Sequence, residues 1–300
     1  MIMKRITVAG SGVLGSQIAF QTAFHGYDVA LYDISDAVLE KASATLKRLG
    51  ERYETDIGAT PGQIADALGR ITTTADLGTA LLDADLLIEA IPEIVSVKRE
   101  FYEKVAKLAP AKTIFATNTS TLLPSQIADA TGRADRFVAL HFANEIWKRN
   151  TAEVMGHAGT DQRTFDAVVD FAKSIGMVAL PIHKEQPGFI TNSLIVPWVT
   201  AALKLWADGV ADFKTIDKSW MIASGSTFMP FAFNDMAGLN TAYNICATLA
   251  EAQKDPLMAK VAQRLKAEFI DQGKLGMASG EGFYKYPDPE FLAPDFLSGP

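Results

Sequence analysis

Short apolar runs alternate with longer stretches of helical period up to Ile182, and this alternation limits the fold more than any other feature of the chain. ITVAG at Ile6–Gly10, VALYD at Val29–Asp33, ITTT from Ile71, LLIEA at Leu86–Ala90, TIFAT at Thr113–Thr117, FVALHF at Phe137–Phe142 and MVALPI at Met177–Ile182 read as strands. Helices are predicted after the first strand through about His25 and over Asp36–Leu49, where Val38, Leu39, Ala42, Leu46 and Leu49 share one side, and Val95–Leu108 reads as a further amphipathic helix. Such a series predicts a mostly parallel sheet covered on both faces. The pattern changes at Gln186-Pro187-Gly188, beyond which only helical stretches follow: Phe189–Val210, Phe213–Ala223, Leu239–Ala252 and Pro256–Gln272. The expectation is an α/β domain over residues 1–186 and an all-helical domain over 187–300, with the tail from Gly273 on the surface.

Composition excludes several classes. A hydrophobic fraction of 48% with 21% charged residues belongs to a folded chain, not a disordered one. A net charge of −7 without long basic runs argues against a nucleic-acid binder. The single cysteine, Cys246, forbids an intrachain disulfide and sits in the apolar run NICATLA, where a buried thiol is expected. MIMKRITVAG reads as a strand, not a secretion signal, and Phe189–Leu203 is too short and polar to span a bilayer. A cytoplasmic enzyme without a membrane segment or metal site is the expectation.

Gly10-Ser11-Gly12-Val13-Leu14-Gly15 fits G-x-G-x-x-G between a strand and a helix, the context that gives this string meaning. Gly10 permits the tight turn, Gly12 lets the backbone approach a pyrophosphate, and Gly15 permits close helix–strand packing. The helix start, at Val13 and Leu14, offers N–H groups to phosphates. Asp33 ends the second strand 18 residues after Gly15, where a carboxylate accepts both ribose hydroxyls and repels a 2′-phosphate. NAD is therefore expected over NADP.

Four histidines occur. His25 reads as a helix C-cap, and His157 and His183 as solvated loop residues. His141 closes an apolar strand at the carboxyl edge of the sheet, where open α/β folds place ligands. Glu153, taken alone, reads as a surface residue at a strand start.

GSGVLG, EAIPEIVSVKREFY (Glu89–Tyr102), TNTSTL (Thr117–Leu122), HFAN (His141–Asn144), Glu153, PGFITN (Pro187–Asn192) and SGEGFYKY follow one another at spacings that resemble the L-3-hydroxyacyl-CoA dehydrogenases, the 3-hydroxybutyryl-CoA enzymes among them. The resemblance runs over nearly the whole chain. It implies a Rossmann-type domain binding NAD, a helical second domain that pairs two chains, and a small-molecule substrate. It implies that His141 is the acid/base and that Glu153 holds its imidazole. Hydride leaves a carbinol carbon only as the hydroxyl proton departs, so a base must touch that oxygen. The resemblance also implies that Ser120 and Asn192 position the reacting oxygen, and that Asn144, Glu93 and Lys98 stand near the cofactor. Phe228, Met229, Phe231 and Phe233 around Pro230 are candidates for a substrate wall or for core.

Three departures bear on the substrate. Where the family continues HFFNP this chain has Ala143 and Glu145, followed by Trp147-Lys148-Arg149. The segment that in the family carries lysines near CoA phosphates has Lys47, Arg48 and Arg52 here, interleaved with Glu51, Glu54 and Asp56. Met277-Ala278 stands where the family often has basic residues. Three readings stay open: a short-chain acyl-CoA substrate using Lys47 and Arg48, a free 3-hydroxy acid such as L-gulonate using Lys148 or Arg149, and a non-catalytic NAD-binding protein.

Overall fold

The computed structural model describes residues 3–298, and the chain divides into two compact units after Ile190. The first unit holds an eight-stranded sheet of β1 (Arg5–Ala9), β2 (Asp28–Tyr32), β3 (Ile71–Thr74), β4 (Leu86–Glu89), β5 (Ile114–Thr117), β6 (Phe137–Phe142), β7 (Thr151–Met155) and β8 (Val178–Ile182), in the order β3-β2-β1-β4-β5-β6-β7-β8. β1 to β6 run parallel, β7 is antiparallel to β6, and β8 follows β7. The mostly parallel sheet expected from the sequence is present. Its helices are α1 (Val13–Phe24), α2 (Asp36–Ile57), α3 (Pro61–Gly69), α4 (Leu77–Leu81), α5 (Val95–Leu108) and α6 (Gln162–Ser174).

Strand alternation explains how both faces are covered. Ile6, Val8 and Ile88 pack with Ile18 of α1, Leu46 of α2 and Val168 of α6. Ala9, Leu87 and Phe115 pack on the other side with Phe101 and Val105 of α5. Each buried Ile, Leu, Val or Phe side chain among these contributes roughly 1.5–3 kcal/mol, so register is strongly fixed. The chain order reverses between β1 and β4, and their carboxyl ends diverge into the crevice where such sheets bind ligands.

Several elements differ from the sequence reading. α2 runs past Leu49 to Ile57, because Tyr53 is fully buried and Gly50 packs closely against Ile64. α3 was not expected, although Thr60 and Gln63 form a capping box with Pro61 at the helix start. β7 places Glu153 in mid-strand and 2% exposed, not at a surface strand start.

The second unit comprises α7 (Thr191–Ala207), α8 (Phe213–Ser224), α9 (Pro230–Ala237), α10 (Leu239–Gln253) and α11 (Pro256–Glu268). Its core gathers Leu203, Trp206, Phe231, Cys246, Val261 and Leu265. Burial pushes the Cys246 thiol up to about 11, as befits a packing residue. The tail departs from its expected surface position, because Phe283, Tyr284 and Phe296 join this core. Asp235 accepts the N–H groups of Phe283 and Tyr284, both at 2.8 Å, and Asp217 accepts the Tyr284 hydroxyl at 2.9 Å. Met229 and Phe231 are core residues, while Phe228 stacks on Trp198 and stays partly exposed.

Candidate active site

The turn from β1 into α1 is built for close backbone approach. Gly10 has φ +97°, and a Cβ there would stand 2.5 Å from the Ala90 carbonyl oxygen. A Cβ on Gly15 would meet the Gly10 carbonyl oxygen at 1.8 Å, whereas nothing lies within 4 Å of the same point on Gly12. The space over Gly12 is therefore open to a ligand. No side chain caps α1, leaving the N–H groups of its first turn, from exposed Val13 and half-buried Leu14, to a bound anion. At the tip of β2, Asp33 Oδ2 accepts the Ser11 N–H and hydroxyl, each at 2.7 Å. This holds the carboxylate beside the glycine turn, where a ribose would lie. The residues present fit a dinucleotide.

His141 is the penultimate residue of β6, a strand buried along its whole length, and pairs in register with Glu153 on β7. Directly opposed residues of an antiparallel pair point to the same face, so the two side chains meet. The His141 Nδ1–H donates to Glu153 Oε2 at 2.8 Å, and the Ile190 N–H donates to Glu153 Oε1 at 2.8 Å. The carboxylate fixes the proton on Nδ1 and leaves the Nε2 lone pair facing Ser120 Oγ at 3.2 Å. His141 is 9% exposed and Glu153 2%, so the pair is shielded from bulk water. The ring of Phe189 lies 4.8 Å from the imidazole, and Phe189 has φ +56°, a left-handed conformation that bulky residues rarely adopt. The sequence reading did not single out Phe189; the only signal was its place after Gly188 in PGFITN.

Ser120 lies on a loop without regular structure, held by side chains. Asn118 Oδ1 accepts the Phe142 N–H at 3.0 Å. Glu93 Oε1 accepts the hydroxyl of Thr119, the N–H of Ser120 at 3.0 Å, and the N–H and hydroxyl of Thr121 at 3.1 and 3.0 Å. Burial pushes the Glu93 carboxyl up, but hydrogen bonds from Thr119 and Thr121 and the Lys98 ammonium more than offset it, and the net shift is downward. The resemblance placed Lys98 near the cofactor; the structure buries its ammonium at 1% exposure between Glu89 and Glu93. The fully buried Glu89 was missed, because nothing local marks its strand position as the partner of a helix residue.

The remaining candidates lie on other elements. Asn144 is exposed in the turn after β6, and Lys47 and Arg48 are exposed on α2, with Arg48 bonded to Thr45 at 3.0 Å. Asn192 stands in the first turn of α7, in the second unit. Arg52 pairs with Glu145 at 2.8 Å and Asp56 at 3.1 Å; Lys148 reaches Asp56 at 3.5 Å and Arg149 reaches Glu145 at 3.8 Å. His25 caps α1 as expected and His183 is exposed. His157 is not simply solvated, since its Nε2 contacts the Ala134 carbonyl oxygen at 2.9 Å. It lines a cavity of about 610 Å³ with Phe165 and His183, at the end of the sheet opposite His141.

A parallel sheet with this glycine turn, an acid at the tip of its second strand and a carboxylate-backed histidine at its ligand edge is the architecture of an NAD-dependent oxidoreductase. Comparison with known proteins agrees. The model of the "3-hydroxyacyl-CoA dehydrogenase, NAD binding domain" family matches residues 5–186, and that of the "3-hydroxyacyl-CoA dehydrogenase, C-terminal domain" matches residues 188–286. The chain is 34% identical to the mitochondrial hydroxyacyl-coenzyme A dehydrogenase of Homo sapiens, over 95% of this chain and 92% of that one. It is 32% identical to a probable 3-hydroxybutyryl-CoA dehydrogenase of Bacillus subtilis (strain 168), over 96% and 99%. A solved diketoreductase structure, described as acting on dicarbonyl compounds, superposes with a TM-score of 0.91 at 50% identity, over 95% of this chain and 100% of that one. The chain belongs to the 3-hydroxyacyl-CoA dehydrogenase family. It is an oxidoreductase that uses NAD.

Proposed function

We propose that the protein interconverts a 3-hydroxyacyl compound and its 3-oxoacyl counterpart, with His141 as the acid/base. The observation that carries this is the linked set Glu153–His141–Ser120, whose Nε2 and Oγ converge 3.2 Å apart at the ligand edge of the sheet. When bound, NAD supplies the hydride acceptor at the carbinol carbon. In oxidation the substrate hydroxyl proton passes to His141 Nε2, and in reduction it returns to the same oxygen. Glu153 keeps the imidazole in the receptive tautomer and offsets the charge of the imidazolium that forms. Ser120 and Asn192 hold the reacting oxygen or the neighbouring carbonyl. Gly10, Gly12, Val13, Leu14, Gly15 and Asp33 hold the dinucleotide, with Asn144 and Glu93 beside it. Turnover with NADH would exclude a purely NAD-sensing role.

The family favours a short-chain acyl-CoA substrate, with Lys47 and Arg48 receiving CoA phosphates. A second reading is a small dicarbonyl compound without CoA. Two observations support it: identity is 50% to the diketoreductase against 34% to the human CoA enzyme, and Arg52, Lys148 and Arg149 already face Glu145 and Asp56. The same ion pairs weigh against Lys148 or Arg149 as receptors for a free carboxylate such as that of L-gulonate. NADH oxidation with acetoacetyl-CoA beside ethyl acetoacetate and acetoacetate, and NAD reduction with L-gulonate, separates these substrates. No turnover with any of them would defeat the proposal.

The proposal extends to a homodimer formed through the second unit. There Trp198, Leu205, Val210 and Trp220 line a groove of about 430 Å³, and Leu194 and Ile222 are 69% and 65% exposed. Sedimentation at micromolar concentration tests it; a monomer would remove it. No helix among the described residues is long and apolar enough to cross a membrane. A cytoplasmic setting completes the proposal, and fractionation of the native cell tests it.

A further inference from the structure

Lys98 is an unusual residue to find inside a protein. Its side chain is 1% exposed and its Nζ lies 2.5 Å from Glu89 Oε1 and 3.2 Å from Glu93 Oε2. Glu89, at the end of β4, is itself fully buried and completely engaged. Its Oε1 also accepts the Ile91 N–H at 2.9 Å, and its Oε2 accepts the Thr117 hydroxyl at 2.7 Å and the Tyr102 hydroxyl at 3.4 Å. A buried ion pair of this kind is weak evidence for stability, because a neutral pair of similar volume often packs as well. What a neutral pair would lack is the hold on Glu93.

That hold leads to the active site. Glu93 collects four donors from Thr119, Ser120 and Thr121 on a single oxygen, in a loop with no strand or helix to fix it. The other oxygen is the one Lys98 grips. Ser120 Oγ, carried by that loop, stands 3.2 Å from His141 Nε2.

We infer that Lys98, charge-balanced by Glu89, is a positioning residue that acts through Glu93 to set Ser120 against His141. The inference rests on the acid/base reading of His141. It places a role of Lys98 beneath the site, in the geometry of the reacting oxygen.

Removing Lys98 alone leaves Glu89 buried and unpaired and endangers folding. The informative protein is the double variant Glu89→Gln/Lys98→Met, in which both charges go together. It is assayed with NADH and acetoacetyl-CoA or ethyl acetoacetate, with and without Ser120→Ala. The expected result is a folded enzyme with kcat lower by about 10–100-fold, the scale of a misplacement of reacting groups, and a far smaller change in KM for NADH. Ser120→Ala should then cost clearly less in the double variant than in the native protein, because the two changes disrupt one arrangement. A raised KM for NADH with unchanged kcat would overturn the inference in favour of a cofactor role. Full additivity with Ser120→Ala would overturn it in favour of a purely structural one. The underlying reading fails separately, through near-normal turnover of His141→Ala.

Discussion

His141 and Glu153 face each other across the antiparallel seam between β6 and β7, with Nδ1 2.8 Å from Oε2. The other carboxylate oxygen takes the backbone N–H of Ile190 at 2.8 Å, next to the Phe189 ring that covers the imidazole. Glu153 thus serves two donors at once, and only a carboxylate can accept both.

Glu153→Gln tests this directly. Its single carbonyl oxygen can accept from His141 or from Ile190, and its amide would oppose the other donor. Turnover should fall by about 10²–10³-fold, since the imidazolium loses its counter-charge and its tautomer is no longer fixed. Affinity for NAD should be unchanged in the same titrations. Activity within a few-fold of native would show that Glu153 is not what orients the base.

Asp33 is the residue proposed to select NAD over NADP. Asp33→Ala removes two ribose contacts and one charge that repels a 2′-phosphate, so KM for NADH should rise and the preference over NADPH should narrow by at least tenfold. Steady-state kinetics with both cofactors checks this. Native protein that used the two equally would contradict the role given to Asp33.

The CoA footprint is tested by reversing Lys47 and Arg48 to glutamate. KM for acetoacetyl-CoA should rise at least tenfold while kcat and KM for NADH hold, because remote phosphate contacts bind ground and transition states alike. KM for ethyl acetoacetate should not change. If the CoA ester is equally indifferent, these residues do not receive CoA and the dicarbonyl reading gains.

The strands of the first unit were legible because buried parallel strands are nearly continuous apolar runs, as FVALHF and LLIEA are. β7 escaped the series because Thr151 and Glu153 interrupt its apolar character, and its partner β6 fixes it across the sheet. The tail looked superficial from its prolines, yet buried Asp235 and Asp217 draw Phe283 and Tyr284 into the core. The histidine and its glutamate were legible only through their resemblance to a family. The Glu89–Lys98 pair was not legible, since nine residues separate a strand end from a helix residue and only the fold brings them together.

Asp217 gives the second unit a pH dependence. Burial, helped by nearby Asp235, pushes its carboxyl up from 3.8 to about 6 despite hydrogen bonds from Phe231 and Tyr284 that favour the charged form. The folded protein therefore holds that proton more tightly than the unfolded chain. The stability it contributes is present below about pH 3.8 and lost as pH rises through about 6. Asp217→Asn keeps an acceptor for the Phe231 N–H and abolishes the titration. Compared with native protein, it should gain stability between pH 4 and 8 by up to about 3 kcal/mol in urea unfolding. A difference that does not vary with pH would show that the carboxyl titrates normally.

The proposed chemistry depends on His141, and single-turnover reduction of acetoacetyl-CoA or ethyl acetoacetate by His141→Ala with saturating NADH measures its role most directly. The chemical step should slow by about 10²–10⁴-fold, the worth of a positioned acid/base group, while NADH binds as it does to the native protein. A rate within a few-fold of native, with NADH bound equally well, would mean that another group moves the proton and that the site described here is not the one that reacts.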